Sequence, residues 1–585
     1  MRKLIFSFCF SKILLICALL FLFQKIHSQI IEKEVRAVWL VTVNYLDWPH
    51  SKDISNVAAQ KNSLIYILDN LQKLNFNTIY FQVRPRGNAF YKSNFEPWAR
   101  ELTGTLGKDP AWDPLEFIIV EANKRGMEVH AWINVVKVWS DNNRPSESSN
   151  AHILNKNSKW CKLYENEWWV DFGYPEARIY TFNVVKDILT NYEIDGLHFD
   201  FLRYPGKEFN DEESYKLYGG KTEKEDWRRN NINVFLKNVK DFVAQNKPHV
   251  KVGAAPIGIY KNSKNLFGSS SYDDLFQDTK YWLDNDLVDY IAPQTYWDIK
   301  VSRRDPGFEI AVKEWARFKN NKNIYPGIGL WRQNVQNEIN DQIYICRREQ
   351  MEGFSIYRYS SINETPLLKK LFPIPAKIPA AIKKEESFGE NDILVSFNDL
   401  TNQIYWKTGK ENVKFFNIYE IYNNKKTLLK IVGKNINSVT LPKRSNISYK
   451  ISYTTKYNNE SPLYSLSNIL IVDNESFNTV LDQDVIRNLL KNLRVIAMFS
   501  DNISLACYPN PFNNYLLIGY EIKEKTEVDL YISTLDGKEV IKLLKGPQSE
   551  GNYILKADGS DFQSGRYIVN LKIGNLIKQK FIIKN

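Results

Sequence analysis

Between residues 34 and 372 the chain alternates two hydrophobic patterns. Short apolar runs rich in β-branched and aromatic residues recur at 35–43, 77–84, 127–134, 194–201, 250–257, 288–296, 323–330 and 353–359. The stretches between them, such as NSLIYILDNLQKL and PLEFIIVEANKRG, carry apolar residues at helical spacing. Strands alternating with helices predict a parallel sheet, and eight such repeats predict a closed (β/α)8 TIM barrel. An open doubly wound sheet is the alternative, but no glycine-rich phosphate loop follows the first strand.

After residue 372 the pattern changes. FPIPAKIPAAIKKEES holds three prolines and then a charge run, and reads as a linker over 373–388. Residues 389–473 carry short alternating strands (QIYWKTG, FFNIYEIYNN, SYKISYTTKY) spaced as in a β-sandwich. Residues 474–502, with the helical DVIRNLLKNLRVI, read as a connector. A last β unit spans 503–585, with an Asp536-Gly537 hairpin signal inside VDLYISTLDGKEV. The expected fold is therefore α/β, a TIM barrel of residues 34–372 followed by two small all-β sandwich domains.

Composition narrows the partners. Aromatic residues make up 14% of the 585, with 15 Trp and 33 Tyr, enough to line a sugar site as well as fill cores. The net charge of +11 comes from scattered lysines and arginines, without a dense basic patch interleaved with stacking rings. No nucleic-acid partner is expected, only weak attraction to anionic polymers. At the N-terminus Arg2 and Lys3 precede an apolar run over 13–23 and a small Ser28, the pattern of a secretory signal peptide over 1–28. No later run is long and apolar enough for a stable membrane span. Cys161, Cys346 and Cys507, the cysteines beyond the signal, are too far apart for a metal site or disulfide frame. No cofactor and no metal is expected.

In a barrel of this kind, chemistry gathers at the C-terminal ends of the strands. The first strand runs into LDWP with Trp48. The second ends on Gln82 and Arg84, the third on Trp132 and Asn134, and the fourth, in DGLHFDFLRYP, on His198 and Asp200 followed by Arg203. The sixth ends on Gln294 and Tyr296, with Trp297 and Asp298 just beyond, and the eighth on Tyr357 and Arg358. Polar groups converging on one end predict a polyol-binding floor with Trp48, Trp132 and Trp297 as aromatic walls.

Read together, VRAVWLVTV…LDWP, NTIYFQVRPRGNAFY…EPWARELTG, GMEVHAWIN, DGLHFDFLRYP, YDDLFQDTKYWL and VDYIAPQTYW resemble the glycosyl-hydrolase-like family ten over about 34–372. These are bacterial barrel proteins, some of which cut peptidoglycan glycan strands. That family commonly carries a second acid directly after the strand-four aspartate, where this chain has Phe201. By alternation Phe201 should point away from the pocket. Trp406, the YEIY run and Tyr449 resemble a fibronectin type III domain. YPNPFNN at the start of the last unit resembles the sorting domain read by the type IX secretion machinery.

The first resemblance implies a polysaccharide substrate. Glycoside hydrolysis then needs two carboxyl groups, about 5–5.5 Å apart for retention or about 6.5–9.5 Å for inversion. Asp200 is the first candidate, as nucleophile or charge stabiliser, kept ionised by Arg84 and Arg203. Asp298 is the candidate proton donor, with Glu96 and Asp171 as rivals; if an N-acetyl group on the substrate serves as nucleophile, Asp200 orients it and the acid is another group. The competing expectation is a catalytically decayed carbohydrate-binding or adhesive protein held at the cell surface.

Overall fold

The computed structural model describes residues 31–145, 151–302, 305–363, 371–389, 392–398, 402–442, 444, 447–465, 467–468, 504–548 and 551–585. The expected signal peptide and connector lie outside these residues. The chain falls into two compact units, the first holding the barrel strands and the second most of the β-rich remainder.

The first unit is built on a parallel sheet. Its strands are β1 (Val35–Leu40), β2 (Thr78–Arg84), β3 (Glu128–Asn134), β4 (Gly196–Asp200), β5 (Lys251–Ala254) and β6 (Tyr290–Ile291). β7 follows as two short pieces, Asn323–Ile324 and Gly327–Gly329, and then β8 (Gly353–Tyr357). In sheet order the first piece of β7 lies beside β6 at one end, and the second lies beside β8 at the other. Tyr325-Pro326 joins the two pieces. Tyr325 N–H donates to Ile291 O at 2.9 Å, and Ser355 N–H donates to Pro326 O at 3.0 Å. The sheet thus curls until one segment bonds to both its ends. β6 is shorter than expected because Pro293 has no N–H for the ladder.

Each strand is followed by a helix, including Val57–Lys73, Pro114–Lys124, Pro175–Asn191, Lys224–Asn246 and Gln333–Arg348. Two of these helices start on local chemistry that the sequence shows. Asn56 accepts the Ala59 N–H, and Asp113 accepts the N–H groups of Leu115 and Glu116 with Pro114 at the first helical position. The outward strand residues Ile79, Phe81 and Val83 share one core with Leu64, Ile67, Leu68 and Leu71 of the first helix and Ile118 of the next. Each such side chain contributes about 1.5–3 kcal/mol by leaving water.

The inward faces differ from the branched apolar layers usual inside such barrels. Alternation sends Trp39, Tyr80, His130, His198, Tyr290 and Tyr325 inside, all at most 1% exposed. The interior is therefore aromatic and hydrogen-bonded.

In the β-rich remainder, strands Leu394–Asn398, Gln403–Lys407 and Ser438–Thr440 form one sheet. Lys425–Gly433, Val413–Tyr422, Ser448–Thr455 and Tyr464–Ser465 form another. Tyr449, at the start of its strand, donates from its hydroxyl to Pro442 O at 2.7 Å. Further on, two four-stranded sheets share a core that includes Leu516, Ile518, Leu530, Val569 and Ile582. The C-terminal part is thus all-β.

Candidate active site

β4 pairs with β3 so that Trp132 lies opposite His198 and Asn134 opposite Asp200. Both β4 side chains point inward, but they meet different surroundings. His198 is wholly buried and stacks on Tyr80 with ring centroids 3.8 Å apart. The Trp39 indole nitrogen lies 2.9 Å from His198 Nε2, and the Tyr290 hydroxyl lies 3.0 Å from Nδ1.

An indole N–H only donates, so Nε2 accepts and the ring carries its proton on Nδ1. The rest of the chain of bonds follows. His198 Nδ1–H donates to the Tyr290 oxygen, and Tyr290 O–H donates to His130 Nδ1 at 2.7 Å. His130 Nε2–H then donates to Glu128 at 3.0 Å, and Lys251 bonds both Glu128 oxygens at 2.7 Å. Burial holds both histidines below their usual range, His198 far below it. His198 is therefore a closed interior group rather than a substrate contact, because both its ring nitrogens are already bonded.

Asp200, one pleat further, reaches the mouth. Its Oδ1 accepts the Phe201 N–H at 2.7 Å and the Gln294 side-chain amide at 3.0 Å. Oδ2 has no hydrogen bond to the described residues. Burial pushes the carboxyl up to about 6, while the Phe201 N–H, the Arg203 charge, Gln294 and the Lys137 charge pull it down. On the β6–β8 side, Tyr296 and Tyr357 have ring centroids 5.3 Å apart. Trp331, 46% exposed, packs edge-on against both at 4.9 and 5.2 Å. Neither tyrosine hydroxyl is bonded within the described residues. Burial raises both tyrosines, Tyr357 to about 12, and the Asp200 charge adds to the rise in each. The mouth thus offers one free carboxylate oxygen, two phenols and an exposed indole face.

A barrel carrying such a mouth has relatives. Residues 34–345 match the family described as "Glycosyl hydrolase-like 10". The chain belongs to this family. It is 33% identical over 378 residues to "Glycosyl hydrolase YngK" of Bacillus subtilis (strain 168), spanning 60% of this chain and 74% of that protein. It is 35% identical over 325 residues to "Glycosyl hydrolase DigH" of Escherichia coli (strain K12), spanning 51% of this chain and 73% of that protein. Among solved structures, the PgaB (BpsB) glycoside hydrolase domain from Bordetella bronchiseptica aligns with a TM-score of 0.40 at 15% identity. That alignment covers 58% of this chain and 97% of that one. Residues 506–584 match a secretion system C-terminal sorting domain, which implies the type IX machinery and a destination at the cell surface or outside. No helix among the described residues is long and apolar enough to cross a membrane.

Several polar residues expected at the site of this glycosyl hydrolase-like 10 protein serve the scaffold instead. Arg84, wholly buried, grips Glu96 with two bonds of 2.7 and 2.6 Å and donates to the carbonyls of Asn134 and Val135. It therefore does not hold Asp200, and Glu96 is consumed as its counter-ion. Asp171 is also closed off, accepting Ser214 Oγ at 2.6 Å and Gly173 N–H at 2.8 Å. Asn134 latches the loop after β2 by donating to Pro85 O at 2.8 Å, and it accepts the Trp132 indole N–H at 3.0 Å. Gln82 accepts the N–H groups of Thr42 and Val43 where β1 ends, and its amide nitrogen stays unbonded within the described residues.

The expected aromatic walls move too. Trp48 is 0% exposed, donates its indole N–H to Gln60 O and packs among Phe81, Phe90 and Trp112. Trp132 is 2% exposed. Neither ring has a face for a sugar. Trp297 is partly buried against Ile259 and Leu266 beside the loop after β5. Trp331 is the exposed ring, and the sequence reading missed it. Its signal was available, since Trp331 sits two residues past the end of β7.

Asp298 is held by Asn334 at 2.9 Å and faces Arg332 at 3.5 Å. Arg332 also donates to Tyr296 O, so this cluster steadies the tyrosine and its neighbour Trp331. Phe201 lies just beyond the end of β4 and packs against the apolar core of the barrel unit. Its φ of 49° turns the backbone left-handed, and its ring packs on Trp169 at 5.7 Å.

Proposed function

We propose that this chain is an exported glycoside hydrolase that cleaves a polysaccharide at Asp200, with peptidoglycan glycan strands as the candidate substrate. The observation that supports it most is the state of Asp200: one oxygen fixed, the other free, and a carboxyl raised to about 6 beside two unbonded phenols. A carboxyl in that range can give a proton to a leaving glycosidic oxygen near neutral pH.

Asp298 was the expected partner, but Asn334 and Arg332 engage it, and Glu96 and Asp171 are closed off. The nucleophile this reading favours is the substrate's own 2-acetamido oxygen, an arrangement known among glycosidases. Asp200 then serves as acid and the Tyr296 and Tyr357 hydroxyls hold the sugar, with Gln294 fixing Asp200. Trp331, Tyr296 and Tyr357 form the stacking wall. The unit over 389–473 is read as a fibronectin type III-like spacer, supported by its three- and four-strand sheets and the Tyr449 corner. Residues 1–28 are read as a signal peptide, and polysaccharide and the type IX machinery are the partners.

The test is mass analysis of peptide-stripped glycan strands incubated with the purified chain and with its Asp200→Asn variant. Strands left intact by a folded, unsubstituted chain would overturn the hydrolase reading.

A further inference from the structure

Arg203 carries a charge that the protein leaves unused. Its guanidinium lies 5.2 Å from the Trp169 ring centroid and 5.0 Å from that of Phe201, stacked on both. Within the described residues it makes no hydrogen bond and no ion pair. Four other cations near these strand ends are spoken for, Arg84 by Glu96, Lys137 by Glu167, Arg332 by Asp305 and Arg358 by Asp47, while Arg86 on the loop after β2 is partly buried with its Nε unbonded within the described residues. A partly buried guanidinium with idle donors carries a desolvation cost that a ligand would offset. The charge is close enough to Asp200 for each to shift the other, yet the two do not bond.

Phe201 explains why the donors are idle. An aspartate here would stand two residues from Arg203 as a local counter-ion, whereas the phenylalanine supplies only a ring face. The stack orients the guanidinium without consuming its N–H groups.

We propose that Arg203 binds a carboxylate borne by the sugar next to the scissile bond, so that the enzyme selects acidic glycans. The planar fork of donors matches a planar carboxylate. A singly charged group is tolerated beside Asp200, where a doubly charged phosphate monoester would be repelled more strongly. Two kinds of sugar supply such a group: one with a lactyl ether, as in muramic acid, and one oxidised at C6, as in a uronic acid. The inference rests on the glycoside hydrolase reading and adds the substrate's charge to it.

The test measures affinity by calorimetry, using the full chain with Asp200→Asn to keep the ligand intact. The probes are peptide-stripped muramyl oligosaccharides, the same oligosaccharides with the lactyl carboxyl converted to a methylamide, oligogalacturonate, and its methyl ester. One acidic probe should bind at least about tenfold more tightly than its neutral counterpart, and which pair responds names the source of the carboxylate. Adding Arg203→Gln should remove that ratio and leave the neutral probe within about twofold. Phe201→Asp, an aspartate being tolerated at positive φ, should also lower the ratio by giving Arg203 a partner, and it provides a second route if the Arg203 variant fails to fold.

Equal affinity for acidic and neutral probes, or a ratio that survives both substitutions, overturns the proposal. If the unsubstituted chain also cuts the neutralised strands as fast as the acidic ones, the hydrolase reading stands and this one falls. If it neither binds nor cuts any probe, both fall.

Discussion

At the scale of single residues, the site depends on how one carboxyl is held. Phe201 N–H and Gln294 fix one oxygen of Asp200, and burial raises the group to about 6. Asp200→Asn keeps the shape and removes the proton. It should lower turnover on the order of a thousandfold, about 4 kcal/mol of transition-state stabilisation, with a melting curve like that of the unsubstituted protein. Because the acid form is the active one in this reading, kcat/KM should fall about tenfold per pH unit above about 6. A rate that instead rises through that range would assign Asp200 to work as an anion. Trp331→Ala removes the exposed stacking face and should weaken oligosaccharide binding by about tenfold, or about 1.4 kcal/mol, with the fold unchanged since that ring is 46% exposed. Titration by tryptophan fluorescence would check it.

At the scale of elements, β4 shows how far alternation carries a reading. It places His198 and Asp200 on the same inward face, and the structure agrees. It does not say that one is sealed and the other open. His198 is sealed by Trp39 from β1 and Tyr290 from β6, residues 159 and 92 positions away in the chain. The same bonds predict a pH response. Both interior histidines sit below their usual pKa, so the unfolded chain takes up protons that the folded barrel refuses. Stability from this source is full above about pH 6.5, the unfolded histidine value, and is lost as pH falls below it. The melting temperature should drop between about pH 6.5 and 5, and His198→Gln should be less stable at neutral pH and show a shallower drop. A melting temperature flat across that range would contradict the assigned protonation.

At the scale of the whole molecule, the candidate site belongs to the first unit and the sorting sequence to the last residues matched, 506–584. A chain ending at Val472 should cut glycan at the rate of the full chain and fail to leave the cell in a host with the type IX machinery. Fractionation and activity assays read the two outcomes separately. Intact-mass analysis of secreted material should find an N-terminus near Gln29, and retention of Met1 would refute the signal-peptide reading.

Local periodicity and short contiguous motifs were enough for the strand-helix alternation and the two family matches, but not for where each strand ends, since β6 stops at Ile291 and β7 splits around Tyr325-Pro326. The sequence also singled out Asp200, since a carboxylate closing an apolar strand is visible in eleven residues. Tertiary structure alone decided which polar groups remain free. Arg84 and Glu96 read as two site candidates until they are seen 2.6 Å apart, neutralising each other. Trp48 reads as a wall until three rings close over it. Nothing in the local pattern shows the left-handed backbone of Phe201 or the ring it sets beside Arg203. Availability for chemistry depends on partners brought from distant strands, and a period of two along one strand carries no record of them.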